Sequence, residues 1–304
     1  MTARKSVVEA QQSYLAALLA GDLSAARGLI NEVHGAGMSI ATIYIDVLTP
    51  AQTRIGEMWH DGLINIAEEH LATSITLDVM KEIGSLISPS NTTGCKVVVT
   101  PVESDGHIVG AQMFSDLLRG DGWNVDFLAY PTPVSDLVSF VAERKPQLIA
   151  ISLTQMEFLP KAQQTSREIH ALNSSIKVLL GGLALSSTNS DDELEDFDGV
   201  AGNAIEGVQE ARRLVGLPLA KLTLEEQLIE MGTNIKRIRS LKRLTQQELA
   251  DQSDMDRTYI SMVEHGKQNL TMGALLRISE ALDVPLSEIL GSEGYKSSDL
   301  CRIR

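Results

Sequence analysis

The sequence predicts three folded parts: an all-α bundle of four helices, an α/β domain with a five-stranded parallel sheet, and a small all-α module. Three observations predict this multidomain fold. Apolar residues recur at helical spacing over residues 5–87, short β-rich runs alternate with helical lengths from Lys96 onward, and strand signals stop after Leu222. With 43% hydrophobic and 22% charged residues, the 304-residue composition excludes a disordered or fibrous protein. We expect domains at residues 1–90, 91–220 and 225–292, and a flexible tail at 293–304.

In the first part, breaks in the helical pattern fall at Gly21, at residues 35–39 and at Asp61. These breaks divide the segment into four helices, and the short connections favour antiparallel neighbours in a bundle. The polar stretch at residues 88–94 has no periodicity and therefore marks a domain boundary.

The second part contains continuous apolar runs, such as residues 97–99, that fit strands buried on both faces. Such strands predict a parallel, doubly wound sheet with helices on both faces. Ligands of these sheets bind beyond the carboxyl ends of the strands, where the strand order reverses, which in the flavodoxin-like order is at the first and third strands. The predicted strands are residues 96–100, 124–129, 147–154, 177–180 and 199–201.

The charge of the chain is unevenly distributed. Of the formal net charge of −14, residues 222–304 carry only −2, and −12 belongs to residues 1–221. No apolar stretch is long enough to cross a bilayer and the N-terminus lacks an export signal, so we expect a cytoplasmic protein that contacts no membrane. Cys95 and Cys301 are expected to be reduced thiols. Five cations in the third part follow one another without an acid, and fit either a phosphate-facing helix or a solvated helix face: Lys236, Arg237, Arg239, Lys242 and Arg243.

The loop after the first strand carries Asp105, His107 and Gly110 in the pattern D-x-H-x-x-G, at the carboxyl edge of the predicted sheet. An imidazole there can ligate a transition metal through one nitrogen while a carboxylate accepts a hydrogen bond from the other. A solvated loop histidine is the alternative interpretation. Small residues at the ends of the third and fourth strands leave room for a bulky group at this edge: Ser152, Thr154, Gly181 and Gly182.

The motifs D-x-H-x-x-G, S-x-T and G-G, in this order, resemble the cobalamin-binding domain of methionine synthase and its relatives. The resemblance implies a corrinoid whose tail is inserted between the first and third strands. His107 would then be the lower ligand of cobalt, and Asp105 its hydrogen-bond partner. The remaining members of the set would lie along the inserted tail: Gly110, Ser152, Thr154, Gly181 and Gly182.

A second signature lies in the bundle, where Trp59 ends one helix and Glu69-His70 begins the next, with nine residues between Trp59 and Glu69. This spacing resembles that of the adenosylcobalamin-dependent photoreceptors that regulate carotenoid genes. The resemblance implies that Trp59 covers the 5′-deoxyadenosyl group, that Glu69 and His70 help to hold it, and that His60 becomes the upper cobalt ligand after light. A core tryptophan, exposed histidines and acids that favour a helix N-terminus are the alternatives.

The third part contains a capping box, because Glu248 follows Thr245 by three residues, and Asp256 is predicted to be the next N-cap. The helix that begins at Thr245 and the helix that begins at Asp256 are expected to meet at a tight turn and thus to form a helix-turn-helix. The segment resembles the lambda-repressor/Cro-type domain. The resemblance implies that the helix at 256–264 enters the major groove of double-stranded DNA. Expected DNA contacts are Gln246, Arg257, Thr258, Ser261, Met262, Lys267 and Asn269; expected core residues are Ala250, Ile260, Val263, Leu275 and Leu282.

We therefore expect a non-enzymatic transcription regulator that senses light through adenosylcobalamin. Photolysis of the cobalt–carbon bond is expected to change the conformation of the four-helix bundle that caps the cofactor, the oligomeric state and DNA binding. Domains of this DNA-binding type usually bind palindromes as dimers, so a homo-oligomer, dimer or tetramer, is expected. Two alternatives are a corrinoid protein that carries a methyl group between methyltransferases and a cobalamin-responsive regulator that ignores light. In the photoreceptor family the DNA-binding module is N-terminal and MerR-like, whereas here it is C-terminal, so the oligomeric states of that family are not carried over.

Overall fold

The computed structural model describes residues 5–89, 92–187, 194–218 and 224–290. The chain folds as two compact units, Met1–Ala220 and Lys221–Arg304. The predicted tail and Cys301 lie outside the described residues. None of the helices that the structure describes is long and apolar enough to cross a membrane.

The first unit begins with the predicted bundle of four helical stretches. Two of them start at a capping box, Ser6 with Glu9 and Asn65 with Glu68, in which side chains satisfy the first backbone N–H groups of the helix. Their apolar faces meet in one core built around Tyr14, Ile30 and Met80. The elements are α1 (Val7–Leu19), α2 (Leu23–Gly35), α3 (Ile40–Thr42), a π-helical segment (Ile43–Leu48), α4 (Thr49–His60) and α5 (Ile66–Gly84).

The π-helical segment within the third stretch is a feature that the sequence pattern does not predict. Tyr44 in this segment is fully buried, and its hydroxyl donates a hydrogen bond of 2.8 Å to Asp116 Oδ2 of the α/β domain. The Thr49 hydroxyl donates to the Tyr44 carbonyl at 2.8 Å, which helps to satisfy a backbone group in the widened turn. The π segment therefore lies where the bundle contacts the α/β domain.

The α/β domain has the predicted five-stranded parallel sheet, whose strands are β1 (Lys96–Pro101), β2 (Asn124–Phe127), β3 (Leu148–Ser152), β4 (Lys177–Gly181) and β5 (Gly199–Ala201). The strand order is β2-β1-β3-β4-β5, so the order reverses between β1 and β3. The central strands β1 and β3 are buried along almost their whole length. The flavodoxin-like prediction is confirmed. The helices of this domain are α6 (Val109–Gly120), α7 (Val134–Arg144), α8 (Leu159–Leu172) and α9 (Ala204–Leu214).

Two strands end earlier than predicted. β3 ends at Ser152 and not at Thr154, because the Thr154 backbone N–H donates to the side chain of Asp105 and not to a neighbouring strand. β2 ends at Phe127 and not at residue 129. The apolar pattern continues past both ends, since Leu128 and Leu153 are still packed in the core, and the sequence alone therefore extends the strands.

The second unit is all-α, as predicted. The five predicted core residues, Ala250, Ile260, Val263, Leu275 and Leu282, are all buried. The Thr245 capping box is present, and Asp256 occupies the N-cap position of the next helix, although its exposed side chain makes no capping hydrogen bond. The helices are α10 (Leu224–Leu241), α11 (Gln246–Ser253), α12 (Arg257–Glu264), α13 (Met272–Leu282) and α14 (Leu286–Ile289).

Candidate functional site

The loop between β1 and α6 fixes His107 against a fully buried carboxylate. Asp105 Oδ1 accepts hydrogen bonds from His107 Nδ1 at 2.7 Å and from the His107 backbone N–H at 3.0 Å. Its Oδ2 accepts from the Thr154 backbone N–H at 2.8 Å, so one carboxylate ties the loop after β1 to the loop after β3. The side chain of Asp105 is 0% exposed, and that of His107 is 50% exposed.

These hydrogen bonds determine the charge state of the pair. Burial alone raises the pKa of Asp105, but hydrogen bonds from His107 and Thr154 together outweigh it and hold the pKa below its usual value. The hydrogen bond to Asp105 raises the pKa of His107, and the negative charge of Glu69 raises it further. Because an ionised carboxylate can only accept, Nδ1 carries a proton, so that Nε2 is the nitrogen that can bind a ligand when the ring is neutral.

The backbone around this loop is closely constrained. Ser104, directly before Asp105, has a φ of 78°, a left-handed conformation that costs a non-glycine residue about 1–3 kcal/mol. Gly182, beyond β4, has a φ of 124°, and a Cβ there would lie 2.2 Å from the Leu153 carbonyl oxygen. Glycine at 182 is thus required by the fold, since any side chain would collide with the loop after β3.

Other small residues at this edge are not required by the protein's own packing. A Cβ on Gly110, exposed in the first turn of α6, would meet no atom within 4 Å, and one on Gly181 would make only an ordinary contact at 3.7 Å. Ser152 is buried at the end of β3, and Thr154 is half-buried just beyond it. Together with an imidazole of fixed tautomer, this open edge fits a large group that approaches the backbone closely, as a corrinoid would.

The four residues of the second signature, called the cap residues below, lie at the end of α4 and the beginning of α5: Trp59, His60, Glu69 and His70. Trp59 is 44% exposed, which is too much for a core position, and His60 is exposed beside it. Neither of these side chains makes a hydrogen bond or ion pair within the described part of the chain. The Glu69 side chain is 19% exposed and lies 3.7 Å from His70 Nε2, measured from Oε2. The structure therefore brings Glu69 together with His70, and electrostatically with His107, but shows no bond from them to Trp59 or His60.

Two residues of the cap were missed by the sequence analysis. The Thr73 hydroxyl lies 2.9 Å from Glu69 Oε1, and Gln52 of α4 lies next to Thr73. Thr73 follows Glu69 by four residues, which is the spacing of neighbours on one helix face and is a usable signal. Gln52 has no such signal, because its position depends on how α4 packs against α5.

In the second unit, the predicted recognition helix α12 presents a mainly polar outer face. Arg257 and Thr258 are exposed, Met262 is 38% exposed, and Ser261 is half-buried. After the helix, Lys267 is half-buried and Asn269 is exposed. Exposed polar groups on one helix, followed by a cation and an amide, suit base edges and phosphates respectively.

Behind α12 lies a buried ion pair that the sequence analysis missed. The Glu264 side chain is 0% exposed and accepts hydrogen bonds from Arg239 Nε, from Arg239 Nη2 at 3.1 Å and from Gln246 Nε2 at 2.9 Å. Arg239 also donates to the Leu244 carbonyl at 2.6 Å. Arg239 is therefore a structural cation, and neither interpretation of the basic run, phosphate-facing or solvated, holds for it. The other four cations of the run are exposed: Lys236, Arg237, Lys242 and Arg243.

Known families and proteins resemble both units. Family models described as B12 binding domains match residues 10–83 and 95–212, and a helix-turn-helix model matches residues 235–289. The chain is 26% identical to the HTH-type transcriptional repressor CarH of Myxococcus xanthus over 206 residues, which are 63% of this chain and 67% of that protein. It is 42% identical to the control protein C.MunI of Mycoplasma sp over 62 residues, 20% of this chain and 84% of that protein.

The fold of the first unit is also found in a solved structure. The monomethylamine corrinoid protein of Methanosarcina barkeri matches with a TM-score of 0.60 and 18% identity, over 69% of this chain and 100% of that one. This likeness shows the shared architecture of bundle and sheet. With two matches to B12 binding domains and a C-terminal helix-turn-helix match on one chain, and with its similarity to CarH, the protein is a cobalamin-binding transcriptional regulator similar to CarH, in agreement with its sequence motifs.

Proposed function

We propose that this cobalamin-binding regulator uses adenosylcobalamin to sense light, and that it acts through DNA binding and not as an enzyme. The observation that carries the proposal is the coexistence of two features in one unit. His107, with its tautomer fixed by Asp105, lies at the sheet edge, and the Trp59, Glu69 and His70 set lies at the end of the bundle. When bound, adenosylcobalamin supplies a cobalt–carbon bond that light can break.

His107 would hold cobalt through Nε2, because Nδ1 is committed to Asp105. A buried carboxylate behind a ligating imidazole keeps the ring oriented and makes it a stronger donor. We assign contact with the tail of the corrinoid to the small residues of the sheet edge, which leave the backbone accessible: Gly110, Ser152, Thr154, Gly181 and Gly182.

On the upper side, the half-exposed indole of Trp59 provides an apolar surface that shields a bulky group from water. Glu69 and His70 offer an acceptor and a ring nitrogen for the hydroxyl and amino groups of an adenosyl moiety. His60 is exposed and free of hydrogen bonds within the described residues, so it is the residue that would be available to hold cobalt after illumination.

In the DNA-binding unit, α12 enters the major groove of double-stranded DNA. Arg257 suits a bidentate contact with guanine, and Met262 suits contact with a thymine methyl group. The Thr258 and Ser261 hydroxyls can hydrogen-bond to more than one kind of base. Gln246 has one amide hydrogen committed to Glu264 and a second for a phosphate. Lys267 and Asn269 are assigned to contacts with the sugar-phosphate backbone of the DNA. We further propose that the protein is cytoplasmic and binds a palindromic operator as a homo-oligomer, either a dimer or a tetramer.

The test is the absorption spectrum of the protein reconstituted with adenosylcobalamin in the dark, recorded before and after green illumination. The proposal predicts a large and lasting spectral change, and His60→Ala should leave dark binding intact but shorten the lifetime of the illuminated form. A stable adenosylcobalamin spectrum would contradict light sensing and favour a cobalamin-responsive regulator that ignores light. Methyl loading by a partner methyltransferase, with no light response, would favour the methyl-carrier alternative.

A further inference from the structure

A continuous chain of polar side chains crosses the helical bundle and ends at Glu69. The Thr73 hydroxyl is 2.9 Å from Glu69 Oε1 and 3.2 Å from Gln52 Oε1. Gln52 Nε2 donates to the Thr76 hydroxyl, which is 3.0 Å from the Tyr14 hydroxyl. The chain therefore runs from α5 to α4, returns to α5 at Thr76 and then reaches α1, from the rim of the bundle into its core.

The inner end of this chain is fully buried. Tyr14 and Thr76 are 0% exposed and are surrounded by an otherwise apolar core. Buried hydroxyls keep their partners because an unsatisfied polar group in such a core is costly, so the Tyr14–Thr76 pair is a fixed point. Glu69, Thr73 and Thr76 follow one another at spacings of four and three residues, which places them on one face of α5.

The orientation of the Gln52 amide follows from its partners. Its Nε2 lies 3.2 Å from the Ala72 carbonyl, which can only accept, and it also donates to Thr76, so both amide hydrogens are used. Its Oε1 therefore faces Thr73 as an acceptor. Gln52 is thus held in one orientation by the core, and it places a fixed acceptor beside the Thr73 hydroxyl.

The Thr73 hydroxyl carries one proton and lies between two acceptors. It can donate to only one of them at a time, and the ionised Glu69 carboxylate is the stronger acceptor. Donation to Oε1 restrains the carboxylate and leaves Oε2, the oxygen next to His70, for another partner. Glu69 therefore does not point freely into solvent, although it lies at the rim.

We propose that Thr73 is a positioning residue that holds the Glu69 carboxylate at the end of the bundle and so sets the preference for an adenosyl upper group over a methyl group. This inference rests on the proposed function, in which Glu69 helps to hold the adenosyl group. A methyl group has no hydrogen-bond donor, so its binding does not depend on where Glu69 points. Only the affinity for the adenosyl form depends on the network.

The test compares dark affinities for adenosylcobalamin and methylcobalamin, measured by absorbance titration of the full chain. Thr73→Val keeps the shape of the side chain and removes the hydroxyl; Thr73→Ser keeps the hydroxyl. Thr53→Val is the matched control, since Thr53 is half-buried on α4 and takes no part in the network. We expect Thr73→Val to weaken adenosylcobalamin binding about tenfold, the effect of one hydrogen bond to a charged group, and methylcobalamin binding less than about twofold. Thr73→Ser and Thr53→Val should both resemble the wild type.

The outcomes separate this inference from the function on which it rests. If the wild type prefers adenosylcobalamin and Thr73→Val keeps that preference, the positioning role is wrong and the proposed function stands. If the wild type binds both cobalamins equally, there is no preference for Thr73 to set and the inference is wrong, whereas the proposed function fails only if the adenosylcobalamin spectrum is unchanged by green light. The melting temperature of the ligand-free chain detects a merely structural role of Thr73. The inference would also be overturned if Thr73→Val lost affinity equally for both cobalamins and melted at a lower temperature than Thr53→Val.

Discussion

Each unit of this protein contains a buried carboxylate that orients a residue of its candidate site, and the two carboxylates are held in different ways. Glu264 in the second unit is bonded to Arg239, a permanent cation, and orients Gln246. Asp105 in the first unit has no such cation among the described residues, and its partners are the His107 ring and backbone N–H groups.

The difference separates a structural anchor from a ligand-tuning group. The charge of Glu264 is compensated within the fold, so the anchor is complete whether or not DNA is bound. The partner of Asp105 is the half-exposed residue that we assign to cobalt, so its hydrogen bond acts directly on the proposed metal ligand. We therefore expect changes at Glu264 and Arg239 to affect folding, and changes at Asp105 to affect the cofactor.

The largest effect is expected for Arg239→Ala, which leaves the Glu264 charge buried without its cation. We predict a loss of about 3–5 kcal/mol in the free energy of unfolding of the C-terminal unit, measured by chemical denaturation of the full chain. Arg257→Ala is the control, because it removes the same charge from an exposed position and should change stability by less than about 0.5 kcal/mol while weakening DNA binding. Equal destabilisation by the two variants would contradict a structural role for Arg239.

Asp105→Asn is expected to act on the cofactor. An amide cannot accept hydrogen bonds at both positions where Asp105 accepts from His107 and Thr154, so the ring loses its fixed orientation. We predict a loss of about 10–100-fold in cobalamin affinity, measured by absorbance titration. Glu103→Gln, in the same loop and 3.4 Å from Lys161, removes the same charge and should have little effect. If both variants bind cobalamin like the wild type, the Asp105 assignment is wrong.

Two glycines distinguish what the fold requires from what the ligand requires. Gly182→Ala should lower the free energy of unfolding by about 1–3 kcal/mol, because of its left-handed φ and the collision with Leu153. Gly110→Ala should raise it by up to about 1 kcal/mol, since alanine favours a helix, yet weaken cobalamin binding. Thermal unfolding and absorbance titration of both variants measure this. Unchanged cobalamin affinity in Gly110→Ala would remove that residue from the site.

The smallest effect is expected for Gln246→Ala, which leaves the Arg239–Glu264 pair intact. Loss of one neutral phosphate contact should weaken DNA binding about fivefold for all sequences alike, without changing the salt dependence. Gln247→Ala, at an exposed neighbouring position on the same helix, is the control. Fluorescence anisotropy with several duplexes gives the affinities. A change in sequence preference would show that Gln246 reads bases.

Local patterns in the sequence predicted the fold and the main motif residues. Runs such as residues 97–99 have the apolar continuity of buried parallel strands, and Thr245 with Glu248 forms the capping box that the spacing indicates. The Asp105–His107 hydrogen bond was predictable because two residues in one short loop are necessarily close.

Contacts between distant residues were not predictable. The local sequence groups Arg239 with the basic run, since nothing in it shows that Arg239 lies against Glu264, 25 residues away. Similarly, the apolar pattern extends β3 to Thr154, because it does not show that the Thr154 backbone N–H donates to Asp105. The π-helical turn around Tyr44 leaves no trace in the periodicity, and its contact with Asp116 depends on the packing of the bundle against α6.

The central claim is that light, acting on bound cobalamin, changes DNA binding by the same chain. The direct measurement is the affinity for a duplex selected from a random pool, determined for the cobalamin-free protein, for the adenosylcobalamin form in the dark and for the same sample after green light. We predict that dark and illuminated forms differ by about 5–150-fold, the usual range of coupling between two sites. Equal affinities before and after illumination, in a sample whose spectrum has changed, would contradict it.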